Sequence, residues 1–183
     1  MARMTKFCGY RRLERPYTRT SKFRKKSFVR AKPVSKIVRY VMGERSGVFQ
    51  KSVLLKSLAN MQVRDNALEA ARQTSNRYMQ KFIGKVGWRM VLRPYPHHML
   101  RNNPLAAGAG ADRMSTGMKH SFGKVIGIAA QIRLQQPVFQ IDVPLNQVVN
   151  AKEALRRASN KLPFKCSTEV VDNKVYLRDH PKK

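Results

Sequence analysis

The chain has 183 residues, enough for one domain of ordinary size, and 42% of them are apolar, so a core can form. Its 38 Lys and Arg against 10 Asp and Glu leave a net charge of +28 and a pI near 11.2. A surface so charged repels itself until a polyanion neutralises it; nucleic acid does so with release of counterions, whereas a membrane surface needs a basic amphipathic helix or lipid anchor that this sequence lacks.

The first 36 residues hold thirteen Lys or Arg and one acid, Glu14. Aromatic residues interrupt the charge at Phe7, Tyr10, Tyr17, Phe23 and Phe28, and neither helical nor strand periodicity runs through it. Such a segment cannot bury enough apolar surface alone to offset its ordering entropy. It reads as a basic RNA-binding arm over residues 1–35, ordered on its partner, with rings that stack on unpaired bases. Met1 to Arg12 has no apolar stretch of the kind a signal peptide carries, and Cys8 and Cys166 are isolated. Both features are those of a cytoplasmic chain with reduced thiols.

Residues 36–183 read as one α+β domain. Ile37–Val41 predicts a strand ended by Gly43, and Val53–Leu55 a short buried strand. A helix is predicted from about Arg64 to Ile83. Leu68, Ala71, Ser75, Tyr78, Met79 and Phe82 share its inner face; Asn66, Glu69, Gln73, Asn76 and Arg77 share its outer face. Gly84 suits the C-terminal cap.

Trp88 to Arg93 alternates, with Trp88, Met90 and Leu92 inward and Arg89 and Arg93 turned toward phosphate; Pro94-Tyr95-Pro96 ends the strand. Residues 101–120 have no apolar period and read as a protruding loop, of a length that is usually functional in a compact domain. Strands follow near Lys124–Arg133 and Val138–Val143, the second with Phe139, Ile141 and Val143 on one face. A second helix over about Asn146–Lys161 stripes Val148, Ala151, Leu155, Ala158 and Leu162, and Pro163 stops it. A hairpin closes the chain, from Cys166–Val171 through Asp172-Asn173 to Lys174–Leu177. The whole predicts a largely antiparallel sheet with two packed helices.

No catalytic constellation emerges. Gly117 to Lys124 spaces its glycines by five residues instead of four, and Val125 stands where a phosphate loop needs a hydroxyl. Gly108-Ala-Gly-Ala-Asp-Arg113 has Arg113 in place of the third glycine of a dinucleotide fingerprint. His97 and His98 point to opposite sides of an extended chain and have no third ligand at zinc-like spacing. Neither metal nor cofactor is expected, and an RNA-modifying enzyme lacks its acid–base groups. General DNA compaction fits the charge but leaves the ordered core and the Gly-Ala loop without a use.

The stretch Ala111-Asp112-Arg113-Met114-Ser115-Thr116-Gly117-Met118-Lys119, continuing to Phe122-Gly123-Lys124, resembles a family signature. It is similar to that of the archaeal and eukaryotic large-subunit ribosomal protein L-ten-e, the counterpart of bacterial L-sixteen. Arg15-Pro16-Tyr17-Thr18-Arg19, Asn66 to Arg72, Arg93 to His98 and Lys161-Leu162-Pro163 resemble further motifs, in the family's order. The resemblance covers roughly residues 10 to 165. Lys119 replaces the signature's Arg, which keeps charge and loses bidentate phosphate geometry; Val125-Ile126 replaces a proline-containing pair; Thr20 to Val34 matches no family pattern. The short C-terminus looks archaeal more than eukaryotic.

The resemblance implies a fold of the α/β-hammerhead type and a non-enzymatic seat in the large ribosomal subunit. The partners it implies are 23S-type rRNA near the central protuberance and 5S rRNA, A- and P-site tRNA, and neighbouring large-subunit proteins. On this sequence Arg3, Lys6, Arg11, Arg12, Arg15, Arg19, Lys22, Arg24, Lys25, Lys26 and Arg30 of the arm would contact rRNA phosphate, with Tyr10 and Tyr17 stacking. Arg89, Arg93, Lys119 and Lys124 would add rRNA contacts. Arg101, Asn102, Asn103, Gly108, Gly110, Asp112 and Arg113 would form the loop that faces the acceptor ends of tRNA near the peptidyl-transferase centre.

Overall fold

The computed structural model describes residues 7–18, 20–27, 29, 32–102 and 123–173. Its strands are β1 (Val41–Gly43), β2 (Lys51–Ser57), β3 (Met61–Arg64), β4 (Arg89–Leu92), β5 (His98–Asn102), β6 (Lys124–Ile132), β7 (Pro137–Val143) and β8 (Cys166–Asp172). Helix α1 (Asp65–Phe82) follows β3, and α2 (Val148–Ser159) follows β7. The α+β class and the two helices agree with the sequence, but the strands form two antiparallel sheets instead of one. The larger runs β1-β4-β7-β2-β8 and the smaller β3-β6-β5.

The larger sheet alternates as a half-buried sheet must. Val53 faces Ile141 and Leu55 faces Phe139 across β2 and β7, and all four are essentially buried. Met90 and Leu92 extend this face through β4, and Leu68, Ala71 and Met79 of α1 with Ala151, Leu155 and Ala158 of α2 cover it. Met61, Val63, Ala130 and Ile132 bring one face of the smaller sheet into the same core. The other face of that sheet is left for a different cover, described below.

The end of α1 is fixed by specific contacts. The Ile83 N–H donates to the Met79 carbonyl, and Gly84 follows at φ +102°, a conformation that favours glycine. The Trp88 indole N–H donates to the Gly84 carbonyl at 2.8 Å, which ties the helix end to β4. At the end of β1, opposite the start of β4, Gly43 has φ +77°, and a Cβ there would lie 2.2 Å from the Trp88 carbonyl oxygen.

Several boundaries differ from the sequence reading. The strand expected over Ile37–Val41 is confined to Val41–Gly43. Upstream, the Lys36 N–H donates to the Asp65 carboxylate at 3.0 Å and the Val38 N–H to Glu69 at 3.4 Å, so the donors serve α1 and not a sheet. These contacts draw Glu69 inside, although its spacing places it on the outer face. There the Arg72 Nε and Nη2 clamp the two Glu69 carboxylate oxygens at 2.8 and 2.5 Å, and Gln73 adds a donor at 3.0 Å. Burial alone would raise the Glu69 pKa, but the hydrogen bonds from Arg72, then Gln73, hold it below the usual carboxylate value. Strands β3 and β5 were not expected; Arg101 and Asn102 belong to β5 instead of opening a loop. The second strand of the expected C-terminal hairpin, Lys174–Leu177, lies outside the described residues.

Candidate nucleic-acid interface

The free face of the smaller sheet presents Gln62 and Arg64 of β3, paired with Gln131 and Ala129 of β6. The arm covers it. Tyr10 packs at 8% exposure with Leu100, Ala129 and Ile126. The Gln62 side-chain amide donates to the Arg12 carbonyl at 2.8 Å, and that of Gln131 to the Glu14 carbonyl at 2.7 Å. Side-chain amides thus supply a ladder to an arm that has no strand of its own.

At Tyr17 the arm runs along the outer edge of β5. The Tyr17 N–H donates to His98 Nδ1 at 2.8 Å, and the Met99 N–H donates to the Tyr17 carbonyl at 3.0 Å. Tyr17 also packs beside a cluster of Val29, Met99 and Ile128. The Arg101 guanidinium carbon lies 3.9 Å from the Tyr17 ring centroid. Because Nδ1 accepts a hydrogen bond, His98 is held neutral with its proton on Nε2. Burial lowers its pKa below the ordinary 6.5; Glu14 opposes that shift, and the positive Arg101 adds to it.

This docking sorts the arm residues by role. Arg11, Arg12 and Arg15 are exposed cations on a stretch pinned to the sheet through Tyr10, Arg12, Glu14 and Tyr17, and Lys22, Arg24, Lys25 and Lys26 are exposed as well. Arg93 and Lys124 are exposed as well. Two expected stacking residues are placed differently: Tyr10 is buried, and the Tyr17 ring is covered by Arg101. Among the described arm residues the exposed rings are Phe7 and Phe23, at 44% and 67%, attended by Arg11 and Lys26 at 5.2 and 5.5 Å.

Arg89 is engaged within the protein. Its Nε and Nη2 donate to Asp142 Oδ2 at 2.9 and 2.8 Å. Asp142 is fully buried and also accepts from Ser52 at 2.5 Å and Gln140 at 2.8 Å. A carboxylate buried at that depth requires such partners. The Arg89 guanidinium therefore serves the larger sheet before any outside anion.

The segment expected to reach furthest begins where β5 and β6 part. Arg101 pairs with Val125 and Asn102 with Lys124, after an irregularity between Leu100 and Arg101. Asn103, Gly108, Gly110, Asp112, Arg113 and Lys119 lie outside the described residues, as do Arg3, Lys6, Arg19 and Arg30 of the arm. The base of the segment is thus one strand pair, and the arm grips the outer edge of that pair through Tyr17. Among the described residues no group of His, Cys, Asp and Glu is arranged to hold a metal, and no helix is long and apolar enough to cross a membrane.

Comparison with known proteins places this geometry in a family. The model of ribosomal protein L16p/L10e matches residues 17–169. Large ribosomal subunit protein uL16 of Methanococcus aeolicus is 45% identical over 162 residues, covering 88% of this chain and 90% of that protein. The protein of the same name from Methanococcus maripaludis is 44% identical over 171 residues, covering 93% and 95%. That of Archaeoglobus fulgidus is 40% identical over 154 residues, covering 84% and 85%.

Proposed function

This chain belongs to the ribosomal protein L16p/L10e family, and we propose that its docked arm lies on large-subunit rRNA while its central segment helps position tRNA. Membership makes it a structural constituent of the large subunit of the cytoplasmic ribosome and not an enzyme. The finer reading is a seat on 23S-type rRNA near the central protuberance and 5S rRNA, beside neighbouring large-subunit proteins. Residues 101–120 then approach the acceptor ends of A- and P-site tRNA.

The observation that carries the reading is the division of the arm into a pinned inner side and a cationic outer side. Tyr10, Tyr17 and the backbone at Arg12 and Glu14 hold the arm to the sheet, so Arg11, Arg12 and Arg15 meet phosphate from a fixed base. Pre-ordering lowers the entropy lost on binding. Contacts of this kind position the protein and carry little sequence information. The same docking braces the root of the central segment.

The reading assigns anchoring to the arm and tRNA positioning to Arg113. Arg113→Ala is therefore expected to leave incorporation into subunits intact and to slow peptide synthesis by the assembled ribosomes. A variant that fails to enter subunits at all would refute this division of labour.

A further inference from the structure

We propose that the groove between α1 and α2 is a second RNA-binding surface, which seats a phosphate and one unstacked base of single-stranded rRNA. This deepens the rRNA role proposed above and rests on it.

On α1, Gln73, Arg77 and Lys81 recur every four residues and form one ridge, and Thr74, Tyr78 and Phe82 form the ridge beside it. Arg157 of α2 closes the groove, its guanidinium 4.4 Å from the centroid of Tyr78. The space between is about 400 Å³, and none of the residues lining it is acidic. Glu153 pairs with both Arg156 and Arg157, so that trio keeps one positive charge.

Tyr78 is partly buried against the core, but the end of the aromatic ridge at Phe82 is not core. Leu68, Ala71 and Met79 of the same helix are fully buried, whereas Phe82 is 53% exposed. Its ring lies 4.4 Å from Tyr78 at an interplanar angle of 34°, and Lys81 sits 5.7 Å from it. The negative ends of the two helix dipoles account for cations at Lys81 and Arg157, each in the last turn of its helix. They do not account for Arg77, a turn earlier on α1. Cations alternating with a half-exposed ring are what a single strand uses, its phosphates on the basic ridge and a splayed base on the ring. An acidic protein segment would satisfy the charge and leave the ring without a role.

The test is ultraviolet crosslinking of intact large subunits containing this chain, with nuclease and protease digestion and mass spectrometry of the peptides. The expected result is a nucleotide adduct on the peptide carrying Tyr78 and Phe82, alongside adducts on the arm. Arg77→Gln combined with Phe82→Ala changes two exposed side chains, so the fold is retained. It should reduce the groove adduct at least several-fold and leave the arm adducts unchanged. Arm adducts without a groove adduct would overturn this inference and leave the rRNA role standing. A lysine-reactive link from Lys81 to an acidic segment of a neighbouring protein, in place of the nucleotide, would overturn it in favour of a protein occupant. Absence of adducts on arm and groove alike would overturn both readings.

Discussion

The guanidinium of Arg101 lies 3.9 Å above the ring of Tyr17, which joins the arm to the strand from which the central segment departs. Residues 84 positions apart in sequence thereby become one mechanical unit. The Tyr17 ring bears on both Arg101 and the Met99 cluster, so its removal weakens the arm and the root of the segment together.

Tyr17→Ala should destabilise the protein by about 1–2 kcal/mol, from lost burial of a half-buried ring and lost cation–π attraction. Tyr17→Phe should be close to neutral. Denaturant unfolding gives the size, and faster hydrogen exchange at the Met99 N–H locates the loss. Unchanged exchange at Met99 in the Ala variant would show that the ring does not hold the arm.

The arm should loosen in acid. The folded pKa of His98 lies below 6.5, so in the window between them the unfolded chain binds the extra proton. The His98 contribution is fully present above pH 6.5 and is lost as pH falls from there through the folded value. Protonation also removes the acceptor for the Tyr17 N–H. Stability measured across this window should rise with pH, and His98→Asn should flatten that part of the profile. An equal slope in the variant would assign it to other groups.

Arg89→Ala should cost about 3–5 kcal/mol, because it strands the fully buried Asp142. Replacing both partners, Arg89→Met with Asp142→Leu, should recover most of that loss. Thermal unfolding of the two variants decides between a structural arginine, for which the double variant is the more stable, and a dispensable one.

Gly43→Ala should destabilise by at least about 2 kcal/mol, since φ of +77° and the Trp88 carbonyl at 2.2 Å both oppose a Cβ. The damage should centre on β1 and β4 and be read as a fall in midpoint denaturant concentration. A stability equal to that of the parent chain would mean that β1 shifts freely.

What the sequence revealed followed from pattern length. Helix α1, β4 and β7 carry long or strict apolar periods, and the spacing predicts their buried Leu68, Ala71, Met79, Met90, Leu92, Phe139, Ile141 and Val143, although Phe82, on the predicted inner face of α1, is 53% exposed. Strand β3 was masked because Arg64 passes directly into Asp65 with no turn residue between them. Strand β5 was masked at its far end because Arg101 and Asn102 border a Gly- and Ala-rich stretch, and its pairing with β6 is non-local. Without β5 there was no surface on which Tyr10 could be buried, so its ring was read as free for bases. Glu69 was placed outward because helical spacing cannot foresee that the segment ending at Val38 closes over it. The site's charge was therefore legible residue by residue. The layer that orients it was not, because the contacts making it are tertiary.

The central claim is tested most directly by where the protein sediments in a gradient of cell lysate, before and after a high-salt wash. The native chain should sit in the large-subunit peak at one copy per subunit and survive the wash. A variant with Arg11, Arg12 and Arg15 changed to Ala should be depleted from the washed peak. Absence of the native chain from that peak, or its recovery with DNA-containing fractions, would contradict the account.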